Sequence, residues 1–268
     1  MTLGPSTKAL LDAVAGGVRV VDLGRMLTVG MPQSPNHPAY WHAHPRRHGD
    51  MVRADGGSAA NDMITMGTHV GTHVDALSHV SQDGRLHQDK SMLELGVHTI
   101  APMVRRGVLL DVPTTLGVER LAAGQEITPS DLAATVERQG VTIGAGDVVL
   151  VRSGWGQHFD SGDGDTFRGL TTGVPGVSEP GARWLAEHDV HAVGADTIAF
   201  ERLAPGAGHG LLPAHRVLLV ERGIYIVETM DLEELARDRI HEFLFVLSPL
   251  AFFGATGSPV RPLAVVGG

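Results

Sequence analysis

Short apolar runs alternate with helical segments along this chain, and that alternation limits its fold more than any other feature. Val108 to Val112, Val148 to Arg152, Val190 to Gly194, Ile224 to Val227 and Phe243 to Leu247 are rich in β-branched residues and bounded by turn residues. Each reads as a buried strand, and Val18 to Leu23 reads as an earlier one. Between them, Thr128-Pro129 followed by DLAATVERQG has a cap, a proline at the first helical position and a glycine stop. Ser178 to His188 and Pro213 to Arg222 read as further helices. Residues 6–15 read as an N-terminal helix, with Ser6 as cap, an apolar stripe of Leu10, Leu11 and Val14, and Gly16-Gly17 as its stop. Strands alternating with helices predict an α/β fold around a mixed or largely parallel central sheet. Nothing marks a linker, so the 268 residues are expected to form one domain.

Composition narrows the chemistry. There is no cysteine, which excludes disulfides, thiolate zinc sites, iron–sulfur clusters and a cysteine nucleophile, whereas histidine occurs 15 times. The net charge of −9 argues against a nucleic-acid partner and favours a small-molecule substrate. The N-terminus lacks the basic start and apolar run of a signal peptide, and no stretch approaches the roughly 20 apolar residues that span a bilayer. A cytoplasmic protein without a membrane partner is expected.

Residues 30–61 show no sustained period and are rich in proline, glycine and histidine, so they read as a long irregular loop. Tyr40 and Trp41 favour an ordered, ligand-facing loop. His42, His44 and His48 read as solvated, with substrate contact as the alternative.

The chemistry concentrates in HVGTHVDALSH, residues 69–79, which sets His69, His73, Asp75 and His79 at offsets 0, 4, 6 and 10. Imidazole nitrogen and carboxylate oxygen are ligands shared by zinc, manganese and ferrous iron. A fully extended chain would separate the first and last by about 33 Å, so the segment must bend, and Gly71 permits it. A helix beginning at Asp75 would bring Asp75 and His79 onto one face. His69, His73 and Asp75 then form a facial set of three with open positions, the arrangement of a catalytic metal site, and His79 stands one turn back.

HVGTHVDALSH resembles the His-x-Gly-Thr-His-x-Asp-x-x-x-His motif of the cyclase superfamily of metal-dependent hydrolases, which includes kynurenine formamidases and isatin hydrolases. The resemblance continues through VVDLGRMLTVGMPQSP, GDVVLVRSGW, PGVSEPGARWLAEHDVHAVGADT, GIYIVETMDLEEL and GATGSPVRPLAV. It implies the swivelling β/β/α fold, metal ligation by His69, His73 and Asp75, and an acid or base role for His79. Formamidase-like members hold a second ion, and His215 and Glu228 match its ligands, which places Glu228 among both metal-binding and catalytic candidates. One or two Mn2+ or Zn2+ ions, and a homodimer or homotetramer, are implied. Gly24-Arg25 after Asp22-Leu23, Leu77 where the family has proline, and the long 30–61 segment depart from the family pattern. These departures shift the expected substrate away from N-formylkynurenine.

A divalent ion with an open position lowers the pKa of its water to about 7 and polarises a carbonyl. His79 has the intrinsic pKa to relay the proton, and Trp41 and Trp155 are expected to offer flat surfaces to a ring-shaped substrate. The expected reaction is hydrolysis of an amide, in a cyclic amide or imide such as an isatin-like lactam or in an aryl formamide. Kynurenine formamidase proper, a lactone or ester hydrolase, a non-hydrolytic lyase or cyclase, and a metal-binding protein are the alternatives. Ser153 in VRSGWG lacks the Gly-x-Ser-x-Gly elbow of a serine hydrolase. Asp196 ends a strand, where it serves either a site or a turn cap. No Gly-x-Gly-x-x-Gly run supports a dinucleotide cofactor.

Overall fold

The apolar runs pair into one sheet. In the computed structural model, which describes residues 5–267, nine strands lie in the spatial order Val18–Asp22, Leu263–Gly267, Glu242–Leu247, Met103–Asp111, Val148–Arg152, Ala192–Ala195, Tyr225–Glu228, His73–Asp75, Gly257–Pro259. The four strands from Met103–Asp111 to Tyr225–Glu228 run parallel, and the flanking strands are antiparallel, so the sheet is mixed as expected.

The alternation of side chains along each parallel strand fills two cores. Val108, Leu110, Val149 and Val151 face one way and meet Leu132, Leu185 and Leu218 of the covering helices. Leu109, Val148 and Leu150 face the other way and pack with Met103, Leu235 and Phe245. Burial on both faces explains why these runs are continuously apolar.

The helix Pro129–Gln139 opens with a reciprocal cap: Asp131 N–H donates to Thr128 Oγ1 at 3.3 Å, and Thr128 N–H donates to the Asp131 carboxylate at 2.8 Å. It ends at Gly140 in the left-handed conformation. Ser178 caps Glu179–Ala186 with its side chain alone, accepting from Gly181 N–H at 3.1 Å. An N-terminal helix spans Pro5–Ala15, but its stripe of Leu10, Leu11 and Val14 faces outward and is exposed.

Three expectations need correction. The 30–61 segment is not wholly irregular: Trp41–Arg46 pairs antiparallel with Asn61–Thr65 in a two-stranded ribbon. No residue of either strand is buried, so no apolar alternation betrays them, and Pro45 sits where the register shifts between Ala43 and Arg46. Asp75 does not begin a helix. His73–Asp75 is instead a buried strand between Tyr225–Glu228 and Gly257–Pro259, followed by a turn in which His79 N–H donates to Ala76 O at 2.9 Å. The expected helix Pro213 to Arg222 starts as one α-turn, Pro213–His215, and widens into a π-helix over Arg216–Arg222. Among the described residues, no helix is long and apolar enough to cross a membrane.

Candidate metal centre

Sheet register assembles the site. His73 and Asp75 are two residues apart on one strand and share a face, and Glu228 lies directly opposite His73 on the neighbouring strand. His69 arrives by the bend at Gly71, whose φ is +67° and whose added Cβ would lie 2.3 Å from Leu27 Cδ2. Gly71 O also accepts a hydrogen bond from His73 Nδ1 at 2.8 Å, which turns His73 Nε2 toward the carboxylates. At Gly257 an added Cβ would lie 2.5 Å from His69 Cε1, so the strand beyond must carry no side chain there.

The donor atoms converge. His69 Nδ1 lies 2.7 Å from Asp75 Oδ1, and His73 Nε2 lies 3.5 Å from Asp75 Oδ1 and 3.4 Å from Glu228 Oε2. On the far side, His215 Nε2 lies 3.4 Å from Asp75 Oδ2 and 3.2 Å from Glu228 Oε1. His79 stacks on His69 with ring centroids 3.8 Å apart. Two trios, His69–His73–Asp75 and Asp75–His79–His215, each bring their ligand atoms within 4.8 Å of one another, and both use Asp75. The motif histidines, His215 and Glu228 are thus brought into one cluster.

Charge within this buried cluster is unbalanced. Burial alone would raise the Asp75 pKa, but His79, His69 and His215 outweigh it and hold the carboxyl well below its usual range. Glu228 is likewise pulled down to about 2 against burial and Asp75, chiefly by His215 and His73. Burial disfavours the His215 cation, yet the facing carboxylates of Asp75, Glu201 and Glu228 raise its pKa well above the ordinary value. His79 goes the other way, lowered to about 4 by burial and the neighbouring His69 and His215 despite Asp75. It is therefore neutral at pH 7, with a free ring nitrogen, and a weaker base than an ordinary histidine.

Asp75 Oδ2 is fully buried and makes no hydrogen bond. A buried anionic oxygen that no hydrogen bond satisfies, beside a second carboxylate, gains from a cation closer than the His215 ring at 3.4 Å. Its donor set of nitrogen and oxygen, without sulfur, suits a divalent ion such as manganese or zinc, and the residues present fit one.

Sequence reasoning missed Glu201. It is 1% exposed and accepts hydrogen bonds from Ala214 N–H at 2.9 Å, from His215 N–H at 3.0 Å and from His215 Nδ1, leaving Nε2 to face the centre. A single glutamate 14 residues before its histidine carries no local signal. The cavity above the centre, about 210 Å3, has His37, Ile198, His209 and Leu212 in its lining together with His69, His73, His79, His215 and Glu228. Neither tryptophan lines it. Trp155 is core, with its Nε1 donating to Phe167 O at 3.1 Å, and Trp41 stands on the ribbon, 56% exposed. Ser153 donates its hydroxyl to Asp196 Oδ1 at 2.6 Å, and Asp196 also accepts from Ser153 N–H at 2.9 Å, so this pair fixes a turn.

Residues 21–202 match the family described as "Putative cyclase". A kynurenine formamidase of Geobacillus thermodenitrificans is 28% identical over 209 residues, 78% of this chain and 81% of its own. An isatin hydrolase of Roseibium aggregatum is 25% identical over 261 residues, 94% of each chain. Among solved structures, isatin hydrolase A of Ralstonia solanacearum superposes with a TM-score of 0.79 at 26% identity, covering 99% of both chains.

Proposed function

The chain belongs to the cyclase family, and from that premise we propose that it is a metal-dependent amide hydrolase in which His79 moves the proton. It is a hydrolase acting on carbon–nitrogen bonds other than peptide bonds, as its formamidase and isatin hydrolase relatives are. The observation that carries the reading is the buried Asp75, shared by two nitrogen-and-oxygen trios and left with an unbonded Oδ2.

His69, His73 and Asp75 would hold one divalent ion, manganese or zinc, and Asp75, His215 and Glu228 would hold a second where two bind. Such an ion supplies a more acidic water and a polarised carbonyl oxygen. The neutral His79 accepts a proton from the attacking water as the new carbon–oxygen bond forms. It returns that proton to the nitrogen as the carbon–nitrogen bond breaks, leaving an amine and a carboxylic acid, which ionises to the carboxylate by releasing its remaining proton to solvent. His37, Ile198 and Leu212 bound the substrate. A cavity near 210 Å3 lies below the 300–1,000 Å3 typical of drug-sized ligands, so it favours a small ring, an isatin-like lactam or cyclic imide, or an aryl formamide.

The test is His79→Ala assayed on a panel of aryl formamides, cyclic imides, lactams and lactones, with metal content measured alongside. The variant is expected to keep its metal and lose about 100-fold or more in turnover. Full activity in that variant would remove His79 from the mechanism. Oxygen-18 from solvent should appear in the carboxylate product, whereas a lyase or cyclase would leave it unlabelled.

A further inference from the structure

The ribbon formed by Trp41–Arg46 and Asn61–Thr65 carries a second cluster of metal-ligand side chains, made of none of the residues of the buried centre. His42 and His44 are two residues apart on one strand, so both leave the same face. The register runs His42 opposite Ile64 and Ala43 opposite Met63, and the irregularity that follows brings Asp62 to both rings. His42 Nε2 lies 3.0 Å and His44 Nε2 2.9 Å from the same oxygen, Asp62 Oδ1. The two rings meet edge to face with centroids 4.6 Å apart.

Both imidazoles thus aim the same nitrogen at one point beside one carboxylate oxygen. Around a tetrahedral ion with bonds of about 2.0–2.1 Å, neighbouring ligand atoms sit roughly 3.3 Å apart. The cluster reaches that spacing if its atoms spread by a few tenths of an ångström, which exposed side chains on an open ribbon do freely. We propose that His42, His44 and Asp62 form a second divalent-metal site for a borderline ion such as Zn2+ or Cu2+, with water in the remaining positions. The two histidines come from one strand and the aspartate from the other. A bound ion therefore ties the strands together across the 47–60 connection and orders the ribbon. Side chains 34–51% exposed to solvent make this the weaker of the protein's metal sites.

The test is Cu2+ and Zn2+ titration of the full-length protein with its buried centre already loaded, compared with a His42→Ala/His44→Ala variant and with Asp62→Asn. The native protein should bind one further equivalent. Its Cu2+ electron paramagnetic resonance spectrum should carry the splitting of two nitrogens. The double variant should lose both while keeping its buried metal and its hydrolytic activity, which also certifies its fold. Equal stoichiometry in the native protein and the double variant, or an unchanged Cu2+ spectrum, overturns the proposal.

Discussion

His215 depends for its direction on one buried residue, Glu201, which takes hydrogen bonds from both its ring and its backbone. Glu201→Gln keeps the shape and removes the charge, so the ring loses its fixed tautomer. Metal affinity should fall about 10- to 100-fold, measured by chelator competition, with Tm of the metal-free protein changed little by comparison. His69, His73, Asp75 and His79 are legible in the sequence because four ligand types fall within residues 69–79. Glu201 and His209 are not, because each stands alone among unrelated neighbours and joins the centre only through the fold, and His37 is hidden among the other histidines of residues 30–61. Trp41 and Trp155 illustrate the same limit. Their size argues for burial or contact, but only the structure says that one is core and the other lies on the ribbon.

At the scale of elements, the strand His73–Asp75 holds the centre because it is clamped on both sides and entered through Gly71. Gly71→Ala puts an L side chain at φ +67° and into Leu27, so it should destabilise the protein by about 1–3 kcal/mol and weaken metal binding together. Chemical denaturation with and without metal reads both effects. The parallel strands are legible because burial on both faces makes them continuously apolar. The ribbon strands are hidden because exposure removes that signature, and a helix after Asp75 fails because sheet pairing on both edges outcompetes the local turn.

At the scale of the whole molecule, the centre links stability to pH and to metal. His73 and His215 have folded pKa values raised above the ordinary value near 6.5. Their contribution is complete below the unfolded pKa and is lost as pH rises through the folded one. The depressed carboxyls Asp75 and Glu228 add stability above about pH 4 and lose it only on acidification. The depressed His79 changes stability only below pH 6.5. Metal-free protein should therefore show a Tm that falls as pH rises above about 6.5. Metal-loaded protein, whose imidazoles are already unprotonated, should show a smaller fall, and the gap between the two should widen with pH. The fold brings residues as distant in sequence as His69 and His215 to one pair of trios that share Asp75, and the central claim is that a divalent ion there makes the chain a hydrolase. The most direct measurement is turnover of the best substrate of the amide panel by protein stripped with a chelator, verified metal-free by elemental analysis, then reloaded with Mn2+ or Zn2+. Activity should vanish on stripping and return on reloading, and undiminished turnover by the verified metal-free protein would contradict the account.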